Sequence, residues 1–116
     1  MNLTHDKLSG WLRHLDDAPV ECDGMVHLLA NKLRKRQIPF QAKQGMCEFQ
    51  GKTVTPHFWI VVDRWTIDYR LQMWLGCNQH IPHGVFQADL YPRVLYSGSD
   101  LDLPVLPQCV YDVLML

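Results

Sequence analysis

Cys22, His57 and Asp68 are the residues whose types and placement could carry chemistry. Cys22 falls where a helix is expected to begin. The amides and dipole of a helix N-terminus stabilise a thiolate, and the same amides can receive a developing oxyanion. His57 opens the strongest strand signal in the chain, His57-Phe58-Trp59-Ile60-Val61-Val62, and Asp68 lies near the end of the next one. A hairpin turning at Asp63-Arg64 sets His57 opposite Arg70 and Trp59 opposite Asp68. Residues two apart on a strand share a face. His57 and Asp68 then point the same way as diagonal neighbours, with Cβ atoms roughly 6–8 Å apart. A carboxylate there can bond one imidazole nitrogen and leave the other for a thiol, which is the logic of nucleophile, base and orienter. A slip of one residue in the turn would undo it. The bland alternatives are a buried apolar cysteine, a strand-end histidine and a surface aspartate.

Two helices and a run of strands must position these residues. Leu8, Trp11, Leu12 and Leu15 make a helical stripe over residues 4–16, with Thr4 as its cap and Pro19 beyond its end. A second helix is expected from about Cys22 to Arg36, with Met25, Val26, Leu29 and Leu33 on its apolar face. Acidic Glu21 and Asp23 stand at its start. The basic run Lys32, Arg34, Lys35, Arg36 stands at its end, where cations complement the dipole, and this reading is preferred to a nucleic-acid patch. Short strands follow at residues 40–43 and 46–49, interrupted by Gln44-Gly45, and a turn is expected at Gln50-Gly51-Lys52. The His57 strand, apolar on both faces, reads as central, with residues 65–69 returning beside it. Residues 70–75 suggest a short helix closed by Gly76. Residues 94–96 suggest a strand ending at Ser97-Gly98-Ser99-Asp100, and residues 108–116 are ambiguous between helix and strand. Helices followed by strands, without βαβ alternation, predict an α+β fold in one domain over residues 1–116.

This order resembles the core of the transglutaminase-like superfamily. The resemblance rests on Cys22-Asp23-Gly24-Met25, Leu29-Ala30-Asn31-Lys32-Leu33, Gln37-Ile38-Pro39-Phe40, His57-Phe58-Trp59 and Trp65-Thr66-Ile67-Asp68, across about residues 20–70. It implies a papain-like arrangement, a nucleophile-bearing helix packed on a small antiparallel sheet. It also implies Cys22 as nucleophile, His57 as base and Asp68 as orienter, acting on an amide, thioester or peptide-like bond. The sequence departs from the family pattern at Gln37, where a glycine is usual, and at Phe58, where a small residue is usual. No glutamine precedes Cys22 at papain-like spacing. The superfamily also includes inactive members, so a binding module for a protein or small ligand is the alternative.

Cys77, His80 and His83 could offer metal ligands from one loop, completed by His27, Cys47 or Cys109. The spacing is not a common zinc pattern, and a surface loop is preferred. No metal or other cofactor is expected. Among Trp11, Trp59, Trp65 and Trp74, Trp59 shares the expected face of His57 and Asp68 and is assigned to substrate binding.

The 116 residues include 47% apolar and 20% charged side chains, the balance of a globular chain. A formal net charge of −1 supplies no field toward nucleic acid or anionic membrane. There is no secretory signal pattern, no apolar run long enough for a span and no CxxC among the four cysteines. A cytoplasmic protein with free thiols is expected, acting on a small-molecule or peptide substrate, with homodimerisation left open.

Overall fold

The computed structural model describes residues 3–116. Helix α1 (His5–Leu12) starts at Thr4, whose hydroxyl accepts the amide of Lys7 at 3.2 Å. Its buried Leu8 and Leu12, with Leu15 on the 3-10 turn Arg13–Asp17, form the expected stripe. Helix α2 (Cys22–Lys35) buries seven of its residues, Cys22 among them. It ends in a Schellman motif: the amide of Ile38 reaches the carbonyl of Leu33, and that of Gln37 reaches Arg34. This closure puts Gln37 in the left-handed region, at φ 57°. The terminal cations are used locally. Arg34 lies over the ring of Phe40 and donates to the carbonyl of Leu103, and Arg36 lies over Trp11.

Five antiparallel strands follow: β1 (Gln41–Phe49), β2 (Lys52–Val62), β3 (Trp65–Asp68), β4 (Gly84–Phe86) and β5 (Leu95–Leu101), in the spatial order β4-β3-β2-β1-β5. A two-residue turn with positive φ at both Gln50 and Gly51 joins β1 to β2, matching strand twist. Asp63-Arg64 joins β2 to β3 in the expected register, with Val62 opposite Trp65 and Ile60 opposite Ile67. Helix α3 (Leu71–Leu75) leads from β3 into the loop before β4, and α4 (Gln108–Leu114) settles the ambiguous tail as a helix.

Two expected breaks are absent. Gln44-Gly45 does not split β1, and Ser97–Asp100 continues β5 instead of turning. Gly45 faces Gly98 across the β1–β5 ladder, and a Cβ on either would run into the backbone of the opposite strand. The glycines therefore allow two strands to approach closely, a role that local composition does not distinguish from a turn. A real irregularity lies next door. Between the pairs Gly45–His57 and Cys47–Val54, β1 advances two residues and β2 advances three, so β2 bulges at Thr55-Pro56.

The sheet is covered on both faces. Ala42, Ile60, Val62, Ile67 and Val85 pack with α1, α2 and Tyr111 of α4. On the far face Cys47, Phe49 and Trp59 pack with Leu71, Ile81 and Val94, so the segment from α3 onward supplies the second layer. No helix among the described residues is long and apolar enough to cross a membrane.

Candidate active site

His57 and Asp68 meet. Imidazole Nε2 lies 2.6 Å from Asp68 Oδ2, and both side chains are essentially inaccessible to solvent. The hairpin register puts them on one face, as the turn at Asp63-Arg64 requires, and the β2 bulge lies immediately before His57. Bulges are a common device for re-aiming a side chain beside a site. Asp68 accepts on both oxygens. Oδ1 takes the amides of Arg70 at 2.9 Å and Leu71 at 3.1 Å, while Oδ2 takes the Tyr96 hydroxyl at 2.8 Å besides His57. Four donors leave the carboxylate little rotational freedom.

Burial alone would disfavour a charged imidazole. The hydrogen bond and charge of Asp68, with a contribution from the Cys22 thiol, outweigh it and raise the His57 pKa to about 9. Cys22 lies close enough to the ring to act on its charge, but no hydrogen bond joins the two. With Nε2 committed to Asp68, Nδ1 is buried and has no hydrogen-bond partner among the described residues. Cys22 is the first residue of α2, and Glu21 before it makes no side-chain cap to the first turn. Of the first-turn amides, that of Gly24 is taken by the Asp23 carboxylate at 2.8 Å, while Glu21 caps neither Cys22 nor Asp23. The cysteine is 8% exposed and borders a cavity of about 420 Å³, whose other walls include Pro56, Phe58 and Trp74.

Trp59 does not line this cavity. It is buried on the far face, stacked on His57 with ring centroids 5.9 Å apart and set edge-on to Tyr96 at 4.9 Å. Its place behind the imidazole makes it a support for the ring, and the aromatic surface open to a ligand comes from Phe58 and Trp74. Cys77 turns toward Gln72, and His83 bonds Asp16 at 2.7 Å, so the loop histidines and cysteine do not converge.

Among the described residues the one grouping with metal-ligand spacing is Cys47, His57 and Asp68, whose donor atoms lie within 4.8 Å of one another. Its hydrogen bonding fits a proton network better. Both Asp68 oxygens are already occupied, and burial, reinforced by the Asp68 charge, pushes the Cys47 thiol well above its ordinary pKa.

Cys47, Tyr96 and Arg70 were missed from sequence. Cys47 and Tyr96 are paired across β1 and β5, a register that becomes visible only once Gly45 and Gly98 are seen to face each other. Arg70 had a signal: it follows Asp68 by two residues, and Asp16-Asp17 offered acceptors. Its buried guanidinium bonds Asp16 Oδ1 at 2.8 Å and the carbonyls of Asp16, Ala18 and Val20 at 2.9, 2.8 and 2.6 Å. It thereby ties the segment entering Cys22 to the segment leaving Asp68.

No protein-family model, curated protein or solved structure matches the chain.

Proposed function

We propose that this protein is a cysteine-dependent hydrolase or acyltransferase with a papain-like, transglutaminase-like arrangement of Cys22, His57 and Asp68. The supporting observation is the imidazole of His57 fixed by the Asp68 carboxylate at 2.6 Å, with its second nitrogen unbonded and the Cys22 thiol, at a helix N-terminus, near enough to act on its charge. A ring with a pKa near 9 carries its proton at neutral pH, and a positive neighbour favours the thiolate of a cysteine. Cys22 Sγ attacks a carbonyl carbon, and the developing oxyanion faces the amides at the start of α2. His57 passes its Nδ1 proton to the leaving group as the acyl thioester forms. It then takes a proton from water or an amine, which displaces the acyl group from sulfur.

Cys77 and Cys109 are exposed and would obscure the thiol of interest, so the test uses the Cys77→Ser, Cys109→Ser protein. Iodoacetamide applied to the folded protein should modify Cys22 ahead of Cys47. His57→Ala should slow that modification. Labelling of Cys22 only on unfolding would remove it as nucleophile. The second reading, a non-catalytic binding module on the same scaffold, is favoured by the complete burial of His57 and the 8% exposure of Cys22, and it would then stand.

A further inference from the structure

Strand β2 is only half paired on the side of β3. The β2–β3 ladder covers Ile60 to Val62, whereas β1 follows β2 along the other edge from Lys52 to Val61. Residues 52–58 therefore have no strand on the β3 side. The 420 Å³ cavity borders this stretch, with Thr53, Val54 and Thr55 in its wall. Backbone groups along an open strand edge recognise an extended chain by strand addition.

The cavity also has a charge order. At the end next to His57, Cys22 sits between Glu21 and Asp23, both exposed, and neither forms a salt bridge among the described residues. Lys52 stands at the other end of the open edge, roughly 15 Å away at the usual strand rise. Trp74, 51% exposed, adds apolar wall to the same cavity. Negative at the thiol and positive beyond is complementary to a chain with the opposite order.

We propose that the ligand of this cavity is a peptide bound in extended form along residues 52–55 of β2, with a basic residue beside Cys22 and an acidic residue four or five positions away beside Lys52. The placement of the reacting carbonyl at the basic residue rests on the cysteine-nucleophile reading. The binding itself does not.

Cys22→Ala protein isolates binding from chemistry. Fluorescein-labelled eight-residue peptides of alanine and threonine, with one lysine and one glutamate five positions apart, should bind at least tenfold tighter in one charge order than in the reverse order. Methylating the central backbone amides of the preferred peptide should weaken it by tenfold or more, because strand addition uses those N–H groups. Glu21→Lys with Asp23→Lys should invert the preferred order. Equal binding of the two orders, no binding of either, or indifference to N-methylation overturns the proposal. The N-methyl comparison decides the matter even if the double variant does not fold. Iodoacetamide reactivity of Cys22 reports separately on the nucleophile, so failure of one reading is distinguishable from failure of the other.

Discussion

Asp68 is the residue on which the site geometry turns, because its two oxygens divide the work. Oδ1 is fixed by two backbone amides, and Oδ2 faces His57 and Tyr96. In Asp68→Asn the amide oxygen can retain the backbone bonds, which places an NH₂ group against His57 Nε2. That nitrogen must then accept, and the neutral ring carries its proton on Nδ1, where it cannot take one from the thiol or acceptor. If the enzyme reading holds, turnover falls by about 10⁴-fold while the fold survives, as seen by an unchanged circular dichroism spectrum. His57 also makes stability depend on pH. Its folded pKa of about 9 lies above the unfolded value near 6.5, so its contribution is complete below about pH 6.5 and is lost as pH rises through about 9. The difference in thermal midpoint between the native protein and His57→Gln should therefore shrink by several degrees from pH 6.5 to about pH 9.5. A constant difference would mean that the ring does not keep its proton.

At the scale of the element, Gln37 and Phe58 each have a local structural account. Gln37 occupies the left-handed residue of the Schellman closure of α2, the position where the resembled family carries glycine. A residue with a Cβ is strained there, whereas glycine is not but loses more freedom on folding. Gln37→Gly should stabilise by a few tenths to about 1 kcal/mol, read as a higher urea midpoint at unchanged slope. Phe58, where a small residue is usual, has a similar local account: it borders the cavity instead of the His57 ring, because adjacent strand residues point to opposite faces. The bulge at Thr55-Pro56 then lets Val54 and His57, three residues apart, both serve the far face of the sheet.

Across the whole molecule the site depends on one cross-tie. Arg70, immediately beyond the His57–Asp68 hairpin, grips the chain entering α2 through Asp16, Ala18 and Val20, and so couples the position of Cys22 to the sheet. A buried guanidinium with this many acceptors is hard to replace, since losing it removes at once its four hydrogen bonds to Asp16, Ala18 and Val20. Arg70→Met should destabilise by about 3–5 kcal/mol. Arg70→Lys, which keeps charge but not the planar fork, should retain the fold at moderate cost. In Arg70→Lys the iodoacetamide reactivity of Cys22 should fall while that of exposed Cys109 is unchanged, a split that a purely global loss of stability would not produce.

The features legible in the sequence are those set by neighbours along the chain. Helical stripes, the Thr4 cap, the two hairpin turns and the strand parity that joins His57 to Asp68 depend on periods of two or 3.6 residues and on turn chemistry, all local. The α+β order was legible for the same reason. What tertiary structure decided depends on pairs distant in sequence. Gly45 against Gly98 turned two expected breaks into continuous strands and brought Tyr96 and Cys47 to the site. The β2 bulge has no fixed residue signature. Trp59 was correctly placed on the His57 face, but whether that face opens on solvent was settled by the segment from α3 to β5, which covers it and leaves the open cavity beside Phe58 and Trp74. Burial is a property of what packs on a face, and a strand's own residues specify the face without specifying its cover.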